Sequence, residues 1–205
     1  MATTKRPRRA RFLLLLAVTT IVAVACAPQH LAADTKVLLI GDSLLNGTRV
    51  PVSDALEEAG WEPMIKADGG TAMTSWTNKI PLLTAAYQPG VIVIELGTND
   101  CSPVQCVALA PHIDAIMNSI PSDHPALWLN VQEDVPSPFG ENTDYVNSAL
   151  EAADARWPNL YLLDLDGLME GHPEWHAPDG LHFNDEGKEQ FVRFIVDELE
   201  RFKPE

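Results

Sequence analysis

With 205 residues, 46% hydrophobic and 21% charged, the chain can form one globular domain with a buried core and does not have the composition of a disordered protein. Its formal net charge is −15, and five of its 14 Lys and Arg fall in the first 26 residues, which contain no acid. The remaining 9 basic and 29 acidic residues give a body of net charge −20, with no basic stripe to displace phosphate counterions; this excludes nucleic acid and anionic bilayers as partners.

Residues 1–26 read as a signal peptide or leader. Lys5, Arg6, Arg8, Arg9 and Arg11 precede the apolar run Phe12–Ala25, and Ala23-Val24-Ala25 supplies a small-residue cleavage pattern. Fourteen apolar or small residues suit a signal h-region better than a helix crossing about 30 Å of hydrocarbon. An uncleaved anchor is the alternative, and either reading places the domain outside the cytoplasm, secreted or held at the outer face of the membrane. Cys26 directly follows Ala25 and resembles the lipidated cysteine of bacterial lipoproteins, although Ala23 stands where Leu is usual. Plain cleavage before Cys26 is the other reading.

Residues 27–35 read as a short exposed linker, and residues 36–205 as the domain. Strand-length apolar runs occur at Lys36–Ile40, Pro63–Ala67, Val91–Leu96, Ala126–Val131 and Leu160–Asp164. Their continuous apolar character predicts strands of a parallel sheet covered on both faces. Helical stretches are expected at Val52–Ala59, Ile80–Tyr87, Val107–Ser119, Thr143–Arg156 and Asp185–Arg201. The alternation predicts a three-layer α/β domain around a five-stranded parallel sheet. Ligands of such sheets sit at the carboxyl ends of the strands, so the chemistry belongs just after Ile40, Ala67, Leu96, Val131 and Asp164.

Four short segments in that zone bear the right groups. Gly41-Asp42-Ser43-Leu44 follows the first strand and can present a hydroxyl where backbone N–H groups are unpaired. It is not a Gly-x-Ser-x-Gly elbow, because Leu45 stands at the second glycine position. Asp68-Gly69-Gly70-Thr71 follows the second strand and allows close backbone approach to a ligand. Gly97-Thr98-Asn99-Asp100 offers a side-chain amide, and Asp179-Gly180-Leu181-His182 places an acid three residues before a histidine. Each segment alone is an ordinary turn. Together they supply the nucleophile, oxyanion donors, base and orienting carboxylate that acyl transfer requires.

In order and wording these segments resemble the blocks of the SGNH/GDSL hydrolase family, from about Lys36 to the C-terminal helix. The resemblance implies a flavodoxin-like fold and no metal or organic cofactor. It implies Ser43 as nucleophile, His182 as base and Asp179 as the acid orienting the imidazole. It implies an oxyanion hole built from the Ser43 and Gly70 N–H groups and the Asn99 amide. Gly69 remains an alternative to Gly70, and Asp42 and Asp100 are expected to fix their loops. The leading expectation is an exported carboxylester hydrolase acting on a small-molecule or glycan ester. An acyltransferase acting on a cell-envelope sugar would use the same residues, and a non-catalytic binding domain is the reading from another class.

His172 and His176 are spaced like metal ligands on a helix, but Pro173 between them makes a shared helical face unfavourable, so no metal site is expected. Trp175 is a candidate pocket wall or packing residue. Cys101 and Cys106, in Cys-Ser-Pro-Val-Gln-Cys, are expected to form a disulfide in an oxidising compartment, pinning the segment after Asn99 and Asp100.

Overall fold

The structure, a computed structural model, describes residues 30–102, 105–106 and 108–204, with backbone alone at 101–102 and 105–106. The leader and Cys26 lie outside them. Chain order is β1 (Lys36–Gly41), α1 (Ser43–Glu58), β2 (Glu62–Ala67), α2 (Ile80–Tyr87), β3 (Val91–Glu95), then a hairpin of β4 (Cys101–Ser102) and β5 (Gln105–Cys106). After it come α3 (Leu109–Met117), β6 (Ala126–Leu129), α4 (Thr143–Asp154), β7 (Leu160–Leu163), α5 (Leu165–Met169) and α6 (Asp185–Glu200).

The main sheet has five strands in the order β2-β1-β3-β6-β7, all parallel, as the unbroken apolar runs require. Side chains alternate across each strand, so each run feeds two cores. Leu38, Ile40, Ile92, Ile94 and Trp128 face the layer of α2, α3 and α4. Val37, Leu39, Val93, Leu127 and Leu163 face α1, α5 and α6, where Phe191, Ile195 and Leu199 form the apolar stripe of the last helix. Leu39 is fully buried, so Leu39→Ala would cost about 2–5 kcal/mol through lost burial and the cavity left behind. The edge strand β2 is only partly covered, with Glu62 and Lys66 exposed.

Two features depart from the sequence expectation. First, α1 begins at Ser43, not Val52, and runs through Pro51. The Asp42 side chain caps it by accepting from Leu44 N at 3.1 Å, which starts a helix that Gly47, Thr48 and Val50 do not favour. Second, residues 30–35 are not an exposed linker. Ala32 is buried and donates to the Phe202 carbonyl, Ala33 donates to Gly90, and Asp34 Oδ1 accepts from Lys36 N and Gly90 N. The segment is too short to show a strand or helix period but satisfies its backbone against the domain, so the domain starts at least six residues earlier than the apolar pattern indicates.

Candidate active site

The sheet order reverses between β1 and β3. The chain leaves β1 for β2 on one side, and β3 continues to β6 on the other, so the loops after β1 and β3 diverge and leave a crevice. The four sequence segments meet there. Ser43 is the first residue of α1, and its Oγ lies 2.9 Å from His182 Nε2. The other imidazole nitrogen, Nδ1, lies 2.8 Å from Asp179 Oδ2. Hydroxyl, imidazole and carboxylate thus form one hydrogen-bonded chain that can take a proton from Ser43 and stabilise the imidazolium left behind.

Asp179 and His182 are held by their own turn. Asp179 Oδ1 accepts from Leu181 N and His182 N, both at 3.0 Å, and Ala177 N donates to the His182 carbonyl. Gly180 has φ +72°, and a Cβ there would come within 2.7 Å of the Pro136 ring, so only glycine fits. The turn is anchored in the core by Phe183, whose ring packs 5.1 Å from that of Phe191. The hydrogen bond from His182, reinforced by the two backbone donors, holds the Asp179 carboxyl down at about 2. Asp179 is therefore ionised at neutral pH. Its side chain is 52% exposed and that of His182 is 42% exposed, so the site is open to solvent.

Beneath Ser43 lies a set of buried acids, one of which the sequence reading did not single out. Glu95, at the end of β3, is 3% exposed, and its Oε2 accepts from Asp42 N at 3.1 Å and Leu45 N at 3.2 Å. Burial, then the charge of neighbouring Asp42, pushes its carboxyl well above the usual range. Burial also raises Asp42, which backbone N–H groups and a hydrogen bond shared with Glu95 pull partly back. The two carboxyls form a pair lying directly under the start of α1, and burial makes the charged form costly for both. A Cβ on Gly41 would stand 2.6 Å from Leu45 Cβ and 2.8 Å from Glu95 Oε2, so glycine is what lets the two elements meet. The signal in the sequence was one ionisable residue closing the run Val-Ile-Val-Ile-Glu, at a position buried on both sides.

Asp100 ties the third segment to the second. Both its carboxylate oxygens accept from Met73 N, at 3.0 and 3.1 Å, and burial raises its carboxyl to about 7. Asn99 Nδ2 donates to Asp42 Oδ2 at 2.7 Å and, over a longer 3.3 Å, to the Thr71 carbonyl. Its amide is therefore anchored by one N–H, with the other in a weak bond at the crevice. In the glycine loop, Gly70 has φ +72° and an open Cβ position, whereas the Cβ position of Gly69 lies 3.8 Å from Ser43 Cβ. The loop thus runs alongside the serine with Gly69 at the point of closest approach.

The remaining sequence candidates make other contacts. His172 pairs with Glu174 and stacks on Trp175 at 3.7 Å, while His176 Nε2 meets Gln132 Oε1 at 2.7 Å; the two rings bind separate partners. The backbone pairing of β4 with β5 sets Cys101 directly opposite Cys106.

The GDSL-like Lipase/Acylhydrolase family matches residues 39–190, which include all four segments. An arylesterase from Vibrio mimicus is 24% identical over 197 residues, covering 90% of this chain and 98% of that protein. A Staphylococcus aureus protein named as an O-acetyltransferase is 29% identical over 157 residues, or 74% of this chain, which spans 23% of that protein's length. Among solved structures, the lipase/acylhydrolase from Enterococcus faecalis superposes with a TM-score of 0.70 at 21% identity, over 83% of this chain and 98% of the other.

Proposed function

Because the chain belongs to the GDSL-like Lipase/Acylhydrolase family, and so to the esterases and acylhydrolases, we propose that it is a serine esterase working through Ser43, His182 and Asp179. The observation that supports this most directly is the continuous path from Ser43 Oγ through the imidazole to Asp179. In this reading His182 Nε2 takes the Ser43 proton as Oγ attacks the ester carbonyl. The tetrahedral intermediate expels the alcohol, which leaves with the proton that His182 returns. Water then repeats the sequence on the acyl-enzyme and releases the acid and free Ser43. The oxyanion is received by the Ser43 N–H, an N–H of the Gly69-Gly70 loop and the Asn99 amide, which exchanges its weak bond to Thr71 for the developing charge.

A fluorophosphonate probe should label Ser43 stoichiometrically and abolish hydrolysis of 4-nitrophenyl acetate, and Ser43→Ala should lose both labelling and turnover. Turnover that survives in Ser43→Ala would end this reading. The named O-acetyltransferase relative favours a second one, in which a sugar hydroxyl replaces water at the acyl-enzyme. Product analysis with and without an alcohol acceptor separates the two, since transfer consumes the acceptor and hydrolysis does not.

We further propose that residues 1–26 export the domain and that Cys101 and Cys106 are bridged there. Directly opposed residues of an antiparallel pair lie about 4.5–5.5 Å apart at Cα, within disulfide range. Mass spectrometry of exported protein should find a chain beginning at Cys26, with or without lipid, and no alkylatable thiol at Cys101 or Cys106 before reduction. A domain found only inside the cytoplasm, or two free thiols in exported protein, would refute the corresponding half.

A further inference from the structure

Outside the leader the chain has few cations, and three of them meet in one place. Arg49 of α1, Lys66 of β2 and Lys79 before α2 line a groove of about 410 Å³ at the exposed edge of the sheet. Its lining contains one acid, Asp68, which sits 3.2 Å from Lys79 Nζ. Lys79 is further fixed over the Trp76 ring, 4.6 Å from its centroid. Arg49 and Lys66 make no ion pair among the described residues, so the groove keeps an uncompensated positive charge within a chain of net charge −15. Its apolar side is formed by Ile65, Trp76 and Leu82, the last 72% exposed.

The position of the groove gives this patch a use. Asp68 opens the loop whose Gly69 Cβ position lies 3.8 Å from Ser43 Cβ. The groove therefore adjoins the loop that passes Ser43, with Asp68 in its lining and Gly69 the next residue, and that loop is the route by which a substrate held at Ser43 would reach it. A small neutral ester gains nothing from three cations. A large acidic body repels anionic substrates at long range, and a local patch beside the reacting residue reverses that for one part of the substrate. We infer that the groove is a subsite for an anionic group carried by the ester substrate on a moiety with an apolar or sugar face. This rests on the esterase reading above. It also qualifies the sequence reading, in which no basic stripe is visible: the cations are 13 to 17 positions apart and only the fold gathers them.

The test compares two acetylated glycans that differ in charge, oligogalacturonide with a carboxylate on each residue and neutral xylo-oligosaccharide. The readout is the ratio of their kcat/KM values. The double variant Arg49→Glu/Lys66→Glu should lower the acidic-to-neutral ratio roughly 10-fold, chiefly through KM for the acidic glycan. The conservative pair Arg49→Lys/Lys66→Arg should keep the ratio near that of the native protein. Raising salt to about 0.5 M should bring the native ratio toward that of the charge-reversed variant. Acetate and inorganic phosphate, added separately at equal ionic strength, identify the oxyanion: the stronger inhibitor, provided the charge reversal abolishes its effect, is the group the subsite takes. A ratio unmoved by charge reversal overturns the subsite, as does a native enzyme that cleaves 4-nitrophenyl acetate but neither glycan. These outcomes leave the esterase reading intact, because that reading fails only through Ser43→Ala.

Discussion

The carboxylates around Ser43 fall into two groups with opposite surroundings. Asp179 is half exposed, and hydrogen bonds hold its carboxyl down at about 2. Asp42, Glu95 and Asp100 are buried, and all three are pushed up. The difference follows from what each carboxyl contacts. Asp179 faces an imidazole that becomes cationic in the proposed esterase reaction, so its charge has to be available there and water nearby costs little. The buried acids face backbone N–H groups mostly at the starts of helical turns, where a fixed acceptor matters more than a charge, and burial disfavours charging both Asp42 and Glu95 at once.

Changes on either side of this contrast should give different losses. Asp179→Asn should lower kcat about 10³–10⁴-fold by leaving the wrong tautomer and an unsupported imidazolium, with little change in melting temperature. Glu95→Ala should do the reverse in kind, costing about 1–3 kcal/mol of stability because Leu45 N loses its acceptor, while Asp42 N keeps only its bond to the Glu95 backbone carbonyl. Circular dichroism melts beside steady-state rates check the pair; equal stability losses in both would erase the distinction.

Asn99 stands between the two groups, tied to Asp42 yet facing the crevice. Asn99→Ala should lower kcat about 10²–10³-fold with KM little changed, since its donor counts chiefly in the transition state. A raised KM with kcat intact would make it a substrate-binding residue instead.

The smallest effect expected concerns pH. The Asp100 carboxyl rises from 3.8 in its ordinary state to about 7 in the fold, so over that range the native state holds a proton that the unfolded chain has lost. Its contribution to stability is complete below about pH 4 and is lost as pH rises through 7. Urea unfolding at pH 5 and pH 8 should show native protein losing about 2 kcal/mol relative to Asp100→Asn over the interval. Parallel behaviour of the two proteins would mean that Asp100 is not titrating in the fold.

Much of this was readable before any coordinates. All five sheet strands lie within two residues of their expected bounds at each end: the central β1, β3 and β6 are buried on both faces and so nearly unbroken apolar runs, and the edge strands keep enough apolar residues to mark their extent. Asp179 and His182 were legible because their contact is local, three positions apart. The misses share one cause, namely contacts between distant segments. The start of α1 depends on a cap and on Glu95, 50 positions from Leu45. Residues 30–35 depend on Gly90 and Phe202, and the five-residue α5 depends on Asn130, whose Oδ1 accepts from Asp166 N 36 positions away. No pattern in any one of these stretches announces its partner.

The contact between Ser43 and His182 spans 139 positions, whereas His182 and its carboxylate are neighbours on one turn. Closing so long a loop costs about 4 kcal/mol in chain entropy, which the packing of α6 and Phe183 against the second core must offset. The base therefore arrives already coupled to its acid, but only after the last quarter of the chain has docked. During synthesis, with the N-terminal strands folding first, the serine has no proton acceptor beside it and remains an ordinary hydroxyl. On the esterase reading, activity would thus mark completed folding: a chain stalled before α6 packs would have Ser43 in place and be chemically silent.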